Sequence, residues 1–332
     1  MTRAALAIDL GGTDLRAALV EASGRVAAFA STPTDAAGGP DAVIDQMLAL
    51  LDRVRAGAMD AEITGLGVAA PGPLDPDAGI VVDAPTLQGW RDVPLASILS
   101  DRLRLDVRLE NDANAAALGE WRFGAGQGTQ SMVFITVSTG LGGGVIVDGK
   151  LLHGRRGLAG EIGHMTVSDR PERCACGSTG CWEAMASGTA LAREATRLAA
   201  AGGAPAILRL AGAGPITGKH VAEAARLGDA PALDLLDREA RWLGIGLTNL
   251  LHLYSPERLI LGGGVGSLLP LLQARIDRTI GERAMSAFRA VPVVAAALGG
   301  NAGLVGAASL MLPSHLLPSL MDQGAASNRA TR

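Results

Sequence analysis

The cysteines of this chain lie together in one short segment. Cys174, Cys176 and Cys181 follow the spacing C-x-C-x4-C, and they are the only cysteines among 332 residues. An odd number of cysteines cannot all pair into disulfides within one chain. His164 lies ten residues before Cys174, and one imidazole with three thiolates is a ligand set that zinc takes in closed, structural sites. The spacing therefore predicts a structural zinc site with His164 as the fourth ligand; three buried free cysteines are the alternative.

Two glutamates lie next to the predicted zinc ligands in the sequence. Glu161 precedes His164 by three residues, and Glu183 follows Cys181 by two. If zinc takes one ring nitrogen of His164, the other nitrogen is free to hydrogen-bond a ligand. Carboxylates are acceptors suited to the hydroxyl groups of a sugar. The metal is therefore predicted to shape a sugar-binding wall, whereas the alternative is that both glutamates are solvated surface charges.

Three glycine-rich turns are predicted after apolar strands, at residues 11–12, 140–144 and 262–264. Backbone N–H groups in such turns can approach phosphate oxygens, because glycine has no side chain. The first two predict a polyphosphate site, with Asp9 placed to orient Mg²⁺, and ordinary hairpin turns are the alternative. The third suits a flat nucleoside, or else a close helix–strand contact. The residues predicted to bind the nucleotide are Asp9, Gly11, Gly12, Thr13, Thr139, Gly140, Gly262, Gly263 and Gly264.

A carboxylate lies at a predicted junction of strand and helix. In the segment LENDANAAALGEW, Asn111 and Asp112 precede an alanine-rich helix. Asp112 is placed to accept the proton of a substrate hydroxyl as its oxygen attacks phosphorus. Asparagine and aspartate are also favoured helix N-caps, and the local sequence alone favours that interpretation. The two predicted phosphate turns are what favour a general base.

The elements that position these residues alternate between strand and helix. The segment SMVFITVSTGLGGGVIVDGKLLHG repeats the opening order of strand, glycine turn and strand, which indicates an internal duplication. An α/β fold with two similar lobes is therefore predicted, mainly helical after residue 187. The other predicted strands lie at 4–10, 14–21, 25–30, 63–70, 105–110, 258–261 and near 291–295, with helices at about 41–55 and 113–121.

Composition and charge exclude several classes of protein. The formal net charge is -4 and the sequence has no basic block, so nucleic acid is not expected as a partner. No apolar run approaches the roughly 18 residues of a membrane span. Asp9 interrupts the N-terminal apolar run too early for a signal peptide. We therefore expect a cytoplasmic protein with reduced thiols, which favours metal binding over disulfides.

Together these motifs resemble the ROK family of bacterial sugar kinases, within the actin-like and hexokinase-like ATPases. The resemblance implies a two-lobed α/β fold of that type, with duplicated ribonuclease-H-like lobes and a zinc-bound loop. It also implies a small lobe at 1–115, completed by a C-terminal helix at about 301–315, a large lobe at 116–300 with dimerisation helices, and a disordered tail at 316–332. The matching motifs are, in order, DLGGT, AAPGPLD, ENDANAAALGE, STGLGGGVIVDGKLL, GLAGEIGHMTV and CACGSTGCWE.

The activity that the resemblance implies is ATP-dependent phosphorylation of a hexose at its 6-hydroxyl, with Asp112 as the base. ATP, Mg²⁺ and structural zinc are the implied cofactors. Residues 84–99 are similar to glucokinases, so glucose is the expected substrate. Fructose, N-acetylglucosamine and N-acetylmannosamine are the alternatives. The residues implied to hold the sugar are Gly72, Asn111, Asp112, Glu161, His164 and Glu183.

Three further expectations follow from the resemblance. The family includes repressors with a preceding helix-turn-helix, for which the chain leaves no room before Asp9, so a non-catalytic sugar-binding regulator is the least favoured alternative. A homodimer or homotetramer is expected, also because residues 229–254 are apolar on more than one helix face. Many members carry lysine or asparagine where this chain has Asp14. The effect of Asp14 on activity is open, because alternation along the strand can turn it away from the phosphates.

Overall fold

The computed structural model describes residues 2–56 and 61–313. The predicted tail at 316–332 lies outside these residues. The first part of the chain contains eight strands and three helices. In chain order they are β1 (Thr2–Leu10), β2 (Asp14–Glu21), β3 (Val26–Pro33), α1 (Gly39–Arg55), β4 (Ala61–Ala70), β5 (Leu74–Asp75), β6 (Ile80–Asp83), β7 (Arg91–Val93), α2 (Leu95–Leu103), β8 (Val107–Asn111) and α3 (Asp112–Phe123).

The second part begins with another hairpin and becomes mainly helical. Its elements are β9 (Met132–Val137), β10 (Leu141–Val147), β11 (Lys150–Leu151), α4 (Trp182–Met185), α5 (Gly188–Ala200), α6 (Pro205–Ala211), α7 (Gly218–Arg226), α8 (Ala230–Tyr254), β12 (Arg258–Gly262), α9 (Gly263–Gly266), α10 (Leu269–Arg283), β13 (Val293–Ala295) and α11 (Ala302–Ser309). Short 3₁₀ turns lie between several of them.

Two five-stranded sheets share one topology. The first has the order β3-β2-β1-β4-β8 and the second the order β11-β10-β9-β12-β13. In both sheets the first three strands are antiparallel and the last three are parallel. The predicted α/β fold with an internal duplication is therefore confirmed. The lobe boundaries at 115 and 300 stay predictions.

Strand β1 is buried on both of its faces. Leu6 and Ile8 pack with α1, whereas Ala5 and Ala7 pack with α11. A strand covered on both faces reads as an uninterrupted apolar run rather than as an alternating one, as TRAALAIDL does. The C-terminal helix α11 therefore covers one face of the first sheet.

Helices α3 and α11 cross at two glycines. A side-chain carbon at Gly306 of α11 would overlap the backbone oxygen of Ala115 in α3, and one at Gly119 of α3 would lie 2.5 Å from the backbone oxygen of Ala302. Contacts this short exclude any side chain larger than hydrogen. The two helices therefore connect the two sheets through direct backbone packing.

The predicted glycine turn at 140–144 is shorter than expected. Only residues 138–140 form a turn, and Gly142, Gly143 and Gly144 belong to β10. A side-chain carbon at Gly144 would lie 2.6 Å from Cβ of Ala117, so Gly144 allows α3 to pack closely on the strand. On the other face of β10, a side-chain carbon at Gly143 would overlap Cδ1 of Ile162, so close packing also accounts for this glycine.

The insertion between β4 and β8 was not predicted from the sequence. Strands β5, β6 and β7 form a three-stranded sheet, and α2 follows it. Val81 and Trp90 bury its apolar side against the first sheet and α1. None of the helices within 2–56 and 61–313 is both long enough and apolar enough to cross a membrane.

Candidate active site

Asp112 is the first residue of α3, and it is not the N-cap. Asn111 is the N-cap, because its side-chain oxygen accepts hydrogen bonds from the N–H groups of Ala113 at 3.0 Å and Asn114 at 3.2 Å. The carboxylate of Asp112 also accepts a hydrogen bond from the N–H of Ala113, at 2.7 Å. The sequence left the cap and base interpretations open, and the structure gives the capping to Asn111. The carboxylate of Asp112 is therefore not required for capping.

The carboxyl group of Asp112 is solvent-exposed, yet protein atoms surround it on most sides. The pKa of Asp112 is raised to about 6, mainly because protein atoms displace water from its carboxyl group; the hydrogen bond from Ala113 opposes this shift, and the negative charges of Asp9 and Glu161 add to it. A carboxyl group with a pKa near neutrality that solvent can reach is suited to accept a proton. The sequence-predicted residues Asp9, Asp112 and Glu161 thus lie within electrostatic range of one another.

Asp9 lies at the end of β1 and is 7% exposed. Its carboxylate forms an ion pair with Arg16, which lies opposite it on β2. Burial raises the pKa of Asp9, and the attraction of Arg16 opposes this shift. Arg16 also donates to the backbone oxygen of Gly300 at 2.7 Å. The sequence analysis missed Arg16, although alternation along the hairpin would have placed it beside Asp9.

The two hairpin turns present free N–H groups. Within the described residues, no acceptor is found for the N–H groups of Gly12 and Thr13 in the first turn, nor for those of Thr139 and Gly140 in the second. Thr34 donates to the backbone oxygen of Gly11 at 2.7 Å. Two successive free N–H groups in a turn form a site for an anion.

The third glycine segment packs directly against the second turn. Gly263 has a positive φ of 79°, and a side-chain carbon there would lie 2.5 Å from the backbone oxygen of Val137. The N–H of Gly264 donates to Oγ of Ser138 at 3.3 Å. Gly262 ends β12, and Gly263 and Gly264 begin α9. The close strand–helix contact that the sequence left as an alternative is therefore present at Gly263.

The predicted metal ligands converge. The ligand atoms of His164, Cys174, Cys176 and Cys181 all lie within 4.8 Å of one another. Nδ1 of His164 is 3.5 Å from Sγ of Cys174, and the Sγ atoms of Cys176 and Cys181 are 3.7 Å apart. A tetrahedron with zinc–sulfur bonds of about 2.3 Å has edges of roughly 3.8 Å. Two of the six distances among the ligand atoms are close to such edges, and all six lie within 4.8 Å, so the four side chains form a candidate metal site.

The predicted sugar-binding residues lie beside this cluster and beside α3. Nε2 of His164 is 3.8 Å from a carboxylate oxygen of Glu161. One carboxylate oxygen of Glu183 accepts the N–H of Leu141 at 2.9 Å, and the other lies 3.6 Å from Sγ of Cys174. Glu183 therefore connects the cysteine cluster to the end of the second turn, a contact that the sequence did not reveal.

Gly72 belongs to the same neighbourhood. A side-chain carbon at Gly72 would lie 3.3 Å from Nδ2 of Asn111. The PGP segment that contains Gly72 therefore runs directly past the N terminus of α3. The absence of a side chain at this position keeps the approach to Asn111 open.

Comparison with known proteins identifies the family. A model of the ROK family matches residues 5–313. The chain belongs to the ROK family. Glucokinase of Streptomyces coelicolor is 39% identical over 311 residues, which cover 92% of this chain and 96% of that protein. An N-acetylmannosamine kinase of Escherichia coli O7:K1 is 37% identical over 311 residues, covering 94% of this chain and 99% of that protein.

A solved structure of a ROK family glucokinase, from Streptomyces griseus in complex with glucose and AMPPNP, is similar to this protein. The TM-score is 0.80 at 39% sequence identity, with 92% of this chain and 98% of that chain covered. The expected two-lobed, hexokinase-like kinase fold is thereby confirmed for this ROK protein.

Two family-based expectations gain detail from the structure. Asp14 of this ROK protein is exposed, and the two-residue period of β2 places it on the same sheet face as Arg16. Solvent screens an exposed charge, so we expect Asp14 to have a small effect on phosphate binding.

Most apolar residues of α8 are buried within the chain, although Leu253 is 64% exposed. Oligomeric state and cytoplasmic location stay predictions.

Proposed function

We infer that this protein is an ATP-dependent sugar kinase that transfers the γ-phosphoryl group of ATP to the 6-hydroxyl of glucose. The observation that carries the inference is the exposed carboxylate of Asp112, whose pKa is raised to about 6, at the start of a helix that Asn111 caps. The similarity to glucokinases over 92% of the chain supports the same reaction.

In the proposed reaction, Asp112 accepts the proton of the 6-hydroxyl as its oxygen attacks phosphorus. A neutral hydroxyl is a weak nucleophile, so removing its proton in the transition state lowers the barrier. The nearby negative charges of Asp9 and Glu161 favour the protonated form of Asp112 and thus its role as a proton acceptor. Asn111 and Gly72 would lie along the sugar, because Asn111 precedes Asp112 and Gly72 adjoins the side chain of Asn111.

The phosphates of ATP are proposed to bind between the two hairpin turns. The free N–H groups of Gly12, Thr13, Thr139 and Gly140 would donate to phosphoryl oxygens, where charge spreads in the transition state. The N terminus of α5 adds partial positive charge beside the second turn, because the N–H of Gly188 donates to the backbone oxygen of Ser138 at 2.7 Å.

Two further groups are assigned to ATP binding. Asp9 would hold Mg²⁺ through its waters, and Mg²⁺ supplies positive charge that offsets the charge of the phosphates. Gly11 belongs to the first turn, and the segment from Gly262 to Gly264 is assigned to the nucleoside. These assignments rest on position beside the two turns and on the family resemblance.

The sugar is proposed to bind against the metal cluster. His164, Cys174, Cys176 and Cys181 would hold zinc, which supplies a rigid cross-link to a segment with little apolar core. Nε2 of His164 and the carboxylates of Glu161 and Glu183 would then hydrogen-bond sugar hydroxyls. The spacing of the four ligand atoms supports this arrangement.

The test is an assay of purified protein with Mg-ATP and a panel of hexoses. Glucose turnover coupled to glucose-6-phosphate dehydrogenase reports a 6-phosphate product only. 6-Deoxyglucose should inhibit competitively and should not be phosphorylated, since it lacks the attacking oxygen. Phosphorylation of 6-deoxyglucose, or no turnover of any hexose, would refute the inference.

The second candidate is phosphorylation of N-acetylmannosamine. It is favoured by the 37% identity to an N-acetylmannosamine kinase over nearly the whole chain. The same panel separates the two candidates, because the preferred substrate has the higher kcat/KM. Fructose and N-acetylglucosamine belong in the panel as further alternatives.

A further inference from the structure

A buried carboxylate outside the proposed reaction directly precedes the N-cap of α3. Glu110 is 2% exposed, and its carboxylate has three hydrogen-bond partners. Oε1 accepts from the N–H of Asn111 at 2.9 Å and from Nδ2 of Asn114 at 3.1 Å, and Oε2 lies 2.7 Å from Nε2 of His153. Burial of a carboxylate is costly unless its oxygens are hydrogen-bonded. The position of Glu110 is therefore coupled to all three partners.

His153 lies at the base of the loop that leads to Glu161. Its backbone oxygen accepts the N–H of Ala159 at 2.9 Å, which closes the loop on itself. The hydrogen bond to Glu110 raises the pKa of His153. A bond between an imidazolium and a carboxylate is stronger than a neutral one. One charge-assisted hydrogen bond thus connects the base of this loop to the end of β8.

The far end of the same loop contacts the same network. A side-chain carbon at Gly160 would lie 3.7 Å from Oδ1 of Asn114. This oxygen is buried and has no hydrogen-bond partner among the described residues. Asn114 in turn donates to Glu110. The network therefore contacts the loop at its first residue, His153, and next to its last residue, Glu161.

We propose that Glu110 and His153 form a positioning pair that holds the loop 153–161 in register with the N terminus of α3. The pair aligns Glu161 with Asn111 and Asp112, the groups that bind and deprotonate the sugar, so the proposal rests on the proposed function. Both residues act through others and not on the reacting atoms. The expected effect is therefore on sugar binding more than on ATP binding.

Kinetics of His153 variants test this pairing. His153→Ala should raise the KM for glucose about 10-fold, as expected for loss of one charge-assisted hydrogen bond, while the KM for ATP changes less than about twofold. His153→Gln keeps an N–H donor of similar reach and should restore most of the sugar affinity. His220→Ala is the control, because it removes a histidine ring that also forms one hydrogen bond, with the N–H of Thr217, but lies on α7.

A double-mutant cycle with Glu110→Gln asks whether the two residues act as a unit. If they do, the changes in glucose KM are not additive in the double variant. Additive changes, or an equal rise in the two KM values of His153→Ala, would overturn the proposal.

Hydrogen–deuterium exchange separates failure of the pair from failure of the proposed function. Exchange in residues 153–161 without substrates should be faster in Glu110→Gln and in His153→Ala, with exchange in α7 unchanged. Unchanged exchange in the loop would overturn the pairing even in an active enzyme. Absence of any sugar turnover in the wild-type protein would refute the proposed function, while the exchange measurement would still decide the pairing.

Discussion

Helices α3 and α11 occupy equivalent places in the duplicated fold and differ in their chemistry. Each follows the fifth strand of its own sheet, and each packs against the other sheet, α3 on β10 and α11 on β1 and β4. The side chain of Asn111 caps α3, and Asp112 follows it. Helix α11 begins after Asn301 without a side-chain cap bond, and its sequence AGLVGAAS is apolar. The two helix starts are therefore equivalent in position. Only the start of α3 combines a capping side chain with a carboxylate, the group proposed for proton transfer.

The two halves also differ in how much apolar surface their inserted segments bury. Strands β5 to β7 of the first half bury Val81 and Trp90 in a shared apolar core. The cysteine segment of the second half contributes a core of only Cys174, Cys181 and Ala184. An insertion with so little buried apolar surface requires another source of stability, and a metal ion can supply it.

The largest effect on turnover is expected at the start of α3, from a variant that has no carboxylate there, as the start of α11 has none. Asp112→Asn removes the proton acceptor while Asn111 remains as the cap. General-base removal typically lowers kcat by about 10²–10⁴-fold. The melting temperature should not fall, because the variant also removes a crowded negative charge. We would measure kcat, melting temperature and metal content together. A folded variant with near wild-type kcat would exclude Asp112 as the base.

The second prediction concerns residues 164–181, which contain the four proposed zinc ligands. Cys176→Ser should lower bound zinc from about one equivalent per chain, the content expected of a four-ligand structural site. Because His164 and Glu183 would lose their fixed positions, the KM for the sugar should rise roughly 10- to 150-fold, with a smaller rise for ATP. Metal analysis and kinetics check both expectations.

The matched control for this variant is Thr179→Ala, a change at an exposed residue of the same segment that leaves all four ligands. It should retain zinc and sugar affinity. Zinc content unchanged in Cys176→Ser would contradict the assigned ligand set.

The pH dependence of kcat/KM should show the ionisation of Asp112. With a pKa of about 6, the required carboxylate form is lost as the pH falls, so kcat/KM should drop about tenfold per pH unit below that value. The folded pKa lies above the ordinary value of 3.8, so protonation between these two values favours the folded state. Activity should therefore decline in acid while the protonation of Asp112 adds to stability. A profile flat down to pH 5 would contradict the assignment.

The smallest effect on turnover is expected at the crossing of α3 and α11. Gly306→Ala forces a carbon against the backbone oxygen of Ala115, and overpacking of this kind costs roughly 1–3 kcal/mol of stability. Gly281→Ala in α10 is the control, since nothing lies within 4 Å of the added carbon, and it should stabilise by up to about 1 kcal/mol. Urea midpoints measure both. Equal midpoints would show that the crossing tolerates a side chain.

Part of the site was predictable from local sequence. The first glycine turn, the Asn111–Asp112 junction and the four candidate metal ligands lie in short segments; the structure places a turn after β1, begins α3 at Asp112 and brings the four ligand atoms within 4.8 Å of one another. The glycines of β10 were misassigned to a turn, because Gly142 and Gly144 face α3 and Gly143 faces Ile162, which both lie outside the strand. A steric requirement set by another helix leaves no local signal that distinguishes it from a turn.

The sequence by itself determined the duplicated hairpin units, the candidate metal ligands and the residue types at the start of α3, because periodicity and short spacing are properties of the chain. The tertiary structure decided which groups face one another: Arg16 beside Asp9, Glu183 on the second turn, and His153 on Glu110. It also decided the pKa of Asp112, since burial and the charges of Asp9 and Glu161 depend on segments far apart in the chain. Such long-range proximity arises only when the two sheets and their crossing helices pack together.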